Sequence, residues 1–279
     1  MAGSDEMFPY TITDKEFRQL AAYIKANFGI YLKEEKKVLL VGRLSPVLQQ
    51  LQIDTFSDYY DYLLSDKSGE ALTTLINKIS TNHTFFMREA GHFHFLKEKV
   101  FPTLLPSLPK KDLRIWSAGC STGEEPYTLA MLIDEYLNHE KKLWDRKILA
   151  TDISENALSI AKTGIYNKQA VASLPKNWRL TYLIQHNNEE FEVIDDIKRE
   201  IVFRRFNLMR PVFPFKKKFH IIFCRNVMIY FDHQTKLALI DKFYHWLEPK
   251  GYLFMGHSES IDKEYQKFHY IIPSVYQKE

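Results

Sequence analysis

Between Leu113 and Glu125 the chain reads Leu113-Arg114-Ile115-Trp116-Ser117-Ala118-Gly119-Cys120-Ser121-Thr122-Gly123-Glu124-Glu125. An apolar run breaks into a loop of small residues, then into two acids and Pro126. The run predicts a buried strand. The two glycines permit positive φ and close approach of a ligand to the main chain, and Pro126 suits the first turn of a helix. That helix would return through Tyr127-Thr128-Leu129-Ala130-Met131-Leu132-Ile133 to a second strand, Lys147-Ile148-Leu149-Ala150-Thr151-Asp152. The unit is βαβ, which commits the chain to an α/β fold with a mostly parallel, Rossmann-like sheet.

Asp152 comes 29 positions after Gly123, at the carboxyl end of the second strand, where nucleotide-binding sheets place the acid that accepts from ribose hydroxyls. The loop departs from the Gly-x-Gly-x-x-Gly pattern. Glu124 and Glu125 stand where a dinucleotide enzyme receives its pyrophosphate, and would repel one. A ligand with a ribose, no phosphate and positive charge fits better, and S-adenosylmethionine has those properties. The alternative is that the two acids serve only the helix dipole.

At 279 residues the chain has room for two modest domains, and 45% hydrophobic with 26% charged residues is an ordinary globular balance. No apolar run reaches transmembrane length, and Met1-Ala2-Gly3-Ser4-Asp5-Glu6 lacks a signal pattern, so a cytoplasmic protein with no membrane insertion is expected. The net charge of +3 does not argue for nucleic acid, and Phe213-Pro214-Phe215-Lys216-Lys217-Lys218-Phe219 reads as a solvated turn entering a strand. Cys120 and Cys224 lack Cys-x-x-Cys spacing and read as reduced, buried thiols.

Residues 1–80 read as a small helical domain. Phe17, Leu20, Ala21, Ile24 and Phe28 recur at three and four residues up to Gly29; further segments run from about Lys33 to Leu51, Phe56 to Leu64 and Ala71 to Ile79. Residues 81–109 read as a linker with a cofactor-contacting helix, and the prolines of Phe101-Pro102-Thr103-Leu104-Leu105-Pro106-Ser107-Leu108-Pro109 argue against a continuing helix. Residues 110–279 read as the catalytic domain, with strands at 113–118, 147–152, 219–224 and 251–256 and a candidate at 201–206. A last strand, Tyr270 to Tyr276, follows too closely for a crossover helix and is expected to pair antiparallel. A small β insertion is expected near 180–206, with Phe191 to Phe203 as hairpin strands around a polar middle.

Several side chains could carry chemistry. In Thr81-Asn82-His83-Thr84-Phe85-Phe86-Met87-Arg88-Glu89, Asn82 and Thr84 could hydrogen-bond a ligand and Arg88 could grip a carboxylate; equally, the stretch could be a helix cap with Arg88 in a surface ion pair. Arg225 and Asn226 stand at the end of the strand predicted at 219–224. Tyr230 follows; its ring could face a sulfonium or simply pack. His83, His92 and His94 crowd together, but His92 and His94 would point to different helix faces and no carboxylate or cysteine set completes a site, so no metal is expected. Gly256-His257-Ser258-Glu259-Ser260 reads as a loop at the sheet edge.

Four motifs, in order, resemble one family: Thr81-Asn82-x-Thr84-x-Phe86-x-Arg88-Glu89; Trp116-Ser117-Ala118-x-Cys120-Ser121-Thr122-Gly123-Glu124-Glu125-Pro126-Tyr127; Ala150-Thr151-Asp152-Ile153; and Cys224-Arg225-Asn226-Val227-Met228-Ile229-Tyr230-Phe231. They are similar to the signatures of CheR-type chemoreceptor glutamate methyltransferases. The resemblance implies a class I S-adenosylmethionine-dependent methyltransferase domain whose last strand is antiparallel, a small all-α N-terminal domain and an inserted β subdomain. It implies a cofactor site lined by Asn82, Thr84, Arg88, Glu125, Asp152, Asn207, Leu208, Arg225 and Asn226, with Arg88 and Tyr230 catalytic at the transferring methyl and S-adenosylhomocysteine as product. It also implies that Lys36, Lys37 and Arg43 are the nearest equivalents of a basic face docking the cytoplasmic methylation helices of chemoreceptors, in a monomer that binds no nucleic acid. The hairpin is short and lacks a glycine-rich turn, so a grip on a receptor C-terminal pentapeptide is not expected. A cofactor-binding signalling adaptor is the alternative, and a small-molecule or nucleic-acid methyltransferase a more distant one.

Overall fold

The computed structural model describes residues 10–80, 82–262 and 265–279; Thr81 and the stretch from Met1 to Glu6 lie outside them. Two compact units emerge. The first comprises four helices and the short segment Tyr230–Thr235. Helix α1 (Asp14–Phe28) opens with a capping box between Thr13 and Glu16 and closes at Gly29, whose φ of 74° supplies the left-handed cap. Its apolar stripe, Phe17, Leu20, Ile24 and Phe28, is buried as the period predicts. The segment expected from Lys33 divides into a 3-10 turn, Glu34–Lys36, and α2 (Lys37–Leu51); α3 (Phe56–Ser65) and α4 (Glu70–Ile79) complete the set. Tyr230–Thr235 is held by the Tyr31 N–H, which donates to the Tyr230 carbonyl at 2.8 Å, and by Lys25 Nζ, 2.5 Å from Asp232.

The second unit is built on a seven-stranded sheet. Its strands are β1 (Ile115–Ala118), β2 (Ile148–Asp152), β6 (Ile201–Arg205), β7 (Phe219–Cys224), β8 (Leu247–Met255), β9 (Phe268–Ile272) and β10 (Val275–Lys278), in the order β6-β2-β1-β7-β8-β10-β9. The first five are parallel, so their carboxyl ends share one edge. Strands β1 and β7 are buried at every position, as a parallel sheet covered on both faces requires. Strand β10 runs antiparallel between β8 and β9. The terminal strand expected over Tyr270–Tyr276 is therefore two, because Pro273 and Ser274 turn the chain and Ser274 takes a φ of 62°. Phe213 and Phe215 pack edge-on against the buried Trp116, which explains the aromatics of that basic stretch as core.

Two further expectations are corrected. A three-stranded antiparallel sheet, β3 (Ile165–Asn167), β5 (Glu190–Val193) and β4 (Leu183–Gln185), forms the β insertion, so the insertion does not extend to 206; residues 201–205, the candidate strand of the catalytic domain, pair with β2 in the main sheet. A hairpin from Phe191 to Phe203 does not form because the short helix Asp195–Lys198 redirects the chain. The proline-bearing stretch is helical: α5 (Gly91–Phe95), a π turn over Leu96–Val100, α6 (Phe101–Leu104) and a 3-10 turn over Leu105–Ser107 follow one another. Pro102 and Pro106 each sit at the start of a new helical segment, where a missing N–H leaves no bond unmade, so they mark changes of pitch rather than ends.

Candidate active site

The parallel edge collects the loops that follow β1, β2, β6, β7 and β8. After β1, Gly119 and Gly123 adopt φ of 91° and 100°, and Gly123 leads directly into α7 (Glu124–Leu137). A Cβ at Gly119 would stand 2.4 Å from Val227 Cγ2, so the glycine lets the loops after β1 and β7 approach. Tyr166 of β3 donates to the Thr122 carbonyl at 2.7 Å, tying the small sheet to the same loop.

Asp152 ends β2 with its side chain buried. One carboxylate oxygen accepts from the Ser121 N–H at 2.8 Å and the other from the Ser154 N–H at 2.9 Å. Burial raises its pKa, and those N–H donors oppose the rise. Each oxygen keeps a lone pair, so the group can still accept from a hydroxyl. Glu125 Oε1 accepts from Ser117 Oγ at 2.7 Å and Oε2 from Arg225 Nη1 at 3.2 Å; burial raises its pKa, against the pull of Arg225. Glu124 is also buried and accepts from Thr122 Oγ1 at 2.7 Å. Acids at this helix start, with a carboxylate acceptor at the neighbouring strand tip, suit a ribose and a cationic tail rather than a phosphate.

Arg225 is paired within the protein. Its guanidinium bonds Glu89 Oε2 through Nε at 3.2 Å and Nη2 at 3.0 Å, reaches Glu125, and donates to the Arg88 carbonyl. Its side chain is 2% exposed and lies over the Phe93 ring. The arginine expected at the cofactor site is thus also part of a buried ion-pair network. Asn226, at φ 59°, donates through Nδ2 to Glu89 Oε1 at 3.3 Å. Asn207 and Leu208 follow β6, where Asn207 Oδ1 accepts from the Met209 N–H at 2.8 Å. Asn82 is exposed, and its carbonyl accepts from Ser121 Oγ at 3.4 Å. Thr84 is half-buried; Arg88 Nη1 donates to the His83 carbonyl at 2.6 Å, not to a surface acid.

Sequence reasoning missed two acids. Glu89 was visible only as part of a motif. Glu259 is buried in the loop after β8, where its Oε2 accepts from the N–H groups of Gly256 (2.6 Å) and Asn226 (2.9 Å) and its Oε1 from Ile229 (3.1 Å). A lone acid three residues past a glycine that ends an apolar strand was the available signal. The histidine reading is corrected as well. His92 and His94 do face apart, one buried and one exposed, but the fold brings Glu89 and His257 to His92, with ligand atoms within 4.8 Å of one another. Glu89 is already engaged by Arg225, Asn226 and the His257 N–H. Burial, then Arg225, holds His92 down at about 4.

The residues proposed for substrate lie in the helical unit. Lys36 is exposed, Lys37 pairs with Asp14 at 2.5 Å, and Arg43 Nη1 donates to the Ile79 carbonyl at 2.5 Å, at the end of α4. Both cysteines are free and buried, and burial raises their pKa values. No helix among the described residues is long and apolar enough to cross a membrane.

Residues 82–276 match the model of the CheR methyltransferase SAM-binding domain, and residues 15–80 that of the CheR methyltransferase all-alpha domain. A chemotaxis protein methyltransferase of Borreliella burgdorferi is 44% identical over 270 residues, 96% of this chain and 95% of its own length. Chemotaxis protein methyltransferase 2 of Vibrio cholerae is 34% identical over 92% of this chain and 90% of its own, and that of Vibrio parahaemolyticus 33% over 94% and 95%. With the sheet order, the acid-guarded helix start and both domain matches in agreement, the chain belongs to the CheR family of S-adenosylmethionine-dependent chemotaxis methyltransferases.

Proposed function

We propose that this enzyme methylates glutamate side chains in the cytoplasmic methylation helices of chemoreceptors, and that it works in the cytoplasm. The observation that carries this reading is the family match over both units, 15–80 and 82–276, which extends beyond the cofactor-binding fold to the helical unit. When bound, the cofactor supplies a methyl group on a sulfonium: a glutamate oxygen bonds to the methyl carbon, the sulfur keeps the electron pair of the broken S–C bond, and an ester and a thioether result. A carboxylate of ordinary pKa about 4.3 is ionised near neutrality, so no general base is needed.

The chain's own residues then bind and orient. Asp152 would accept from the ribose, while Asn82, Thr84, Arg88, Asn207, Leu208, Arg225 and Asn226 would hold the rest of the cofactor. Glu125 balances positive charge from its place beside Arg225, and Arg88 with Tyr230 orients the acceptor at the methyl. Alignment of the reacting groups contributes several kcal/mol, roughly. Lys36, Lys37 and Arg43 favour acidic receptor helices through their charge. The protein is read as a monomer in which residues 81–109 contribute to the cofactor site.

Incubation with methyl-labelled cofactor and receptor cytoplasmic fragments tests this reading. Label released from the fragments by mild base is expected. Cofactor uptake without transfer would instead make the protein a signalling adaptor, and transfer to RNA alone would place it in another class.

A further inference from the structure

The structure singles out a residue outside the site assigned above. Met87 and Glu89 have φ of 57° and 55°, so Arg88 is flanked on both sides by left-handed residues that are not glycine. Such conformations are costly for L-residues and persist only where surrounding contacts over-determine them. Here four hydrogen bonds converge on one carboxylate. Glu89 Oε2 takes Nε and Nη2 of Arg225, whose Nη2 also donates to the Arg88 carbonyl, while Glu89 Oε1 takes Asn226 Nδ2 at 3.3 Å and the His257 N–H at 3.1 Å. One acid thus joins the Arg88 segment to the loops after β7 and β8. Its side chain is 13% exposed and paired with a guanidinium that is 2% exposed. Burial alone would raise its pKa, but Arg225, the His257 N–H and Asn226 outweigh burial and keep it below the usual range.

We propose that Glu89 is a positioning residue for methyl transfer: it fixes the backbone that aims Arg88 and the amide of Asn226, without itself touching cofactor or acceptor. The proposal rests on the assignment of Arg88 and Asn226 to the site. Its consequences are read in two quantities: kcat reports Arg88 at the methyl, and cofactor affinity reports Asn226 together with Arg88. Glu89→Gln keeps the shape and removes the charge that pairs with Arg225; Glu89→Asp keeps the charge but shortens the reach.

The test combines calorimetry with S-adenosylhomocysteine and a turnover cycle on receptor fragments, using the full chain with melting curves as a folding control. Glu89→Gln should weaken S-adenosylhomocysteine binding and lower kcat, each about tenfold or more, the scale of one lost charged hydrogen bond. Glu89→Asp should recover part of both. In an Arg88→Ala background, Glu89→Gln should lower kcat by less than about threefold, because residues acting through one another are not additive. A structural acid alone would lower kcat by the same factor in both backgrounds, which would overturn the proposal, as would wild-type affinity in Glu89→Gln. If the wild-type protein binds S-adenosylhomocysteine but methylates no receptor fragment, the glutamate reading fails, and the calorimetric arm still decides whether Glu89 sets the cofactor-binding residues.

Discussion

Glu259 Oε2 and the backbone N–H of Asn226 lie 2.9 Å apart, joining the loop after β8 to the loop after β7. The same carboxylate takes the N–H groups of Gly256 and Ile229, so an internal acid fills a hollow of backbone donors. Burial raises its pKa, and the donors counter the rise. Glu259→Ala would leave three donors without their acceptor and should destabilise the protein by about 2 to 4 kcal/mol. Urea denaturation measures this directly; a loss under about 1 kcal/mol would show that water replaces the carboxylate without penalty.

Asp152→Ala should weaken S-adenosylmethionine binding by about 1 to 3 kcal/mol, the value of a hydrogen bond to a charged group. Part of that loss will come through Ser121, whose N–H is held by the same side chain. Calorimetry with Asp152→Asn separates the two contributions, since the amide oxygen can still accept from Ser121. Unchanged affinity in both variants would remove Asp152 from the ribose site.

Gly119→Ala should reduce cofactor affinity, because the new Cβ would meet Val227 Cγ2 at 2.4 Å in a backbone of φ 91°. Adding Val227→Ala relieves the collision but not the backbone cost of about 1 to 2 kcal/mol, so rescue should be partial. Full rescue would mean that the left-handed turn is unimportant; no loss at all would mean that the two loops move apart freely.

The β1 to β2 unit was legible because periodicity and glycine placement report directly on a buried parallel strand and the turn behind it. The same holds for α1, whose capping box and closing glycine are adjacent in the chain. The place of Asp152 at a strand tip was legible because it follows directly from where the apolar run ends. The ion pairs of Arg225 were not legible, because a strand-end arginine shows nothing in the chain of its partners Glu89 and Glu125, 136 and 100 residues away. The helical run through Pro102 was missed because the π turn before it depends on packing that a local pattern does not carry. Residues 201–205 pair with β2 about fifty residues earlier, and an alternating pattern cannot name its partner strand.

Stability should fall between pH 6.5 and pH 4. His92 and His220 are both held at about 4 in the folded protein, by burial first and by a neighbouring arginine second, against an ordinary value of 6.5. In that window the unfolded chain binds protons that the folded chain refuses, so stability rises with pH and is lost on acidification. Each histidine contributes up to about 3 kcal/mol of that loss. The raised carboxylates of Glu125, Asp152 and Glu259 act in the opposite direction, so the informative quantity is the difference between wild type and His92→Phe. The variant's denaturation midpoint should vary less steeply with pH; parallel curves would contradict the assignment.

The most direct measurement is peptide mass spectrometry of a receptor cytoplasmic fragment after incubation with the enzyme and S-adenosylmethionine, beside a fragment whose methylation-helix glutamates are replaced by alanine. The account predicts added methyl mass on those glutamates, absent from the replaced fragment and lost on mild alkaline treatment. Methyl groups on other side chains, or retained through alkali, would contradict it.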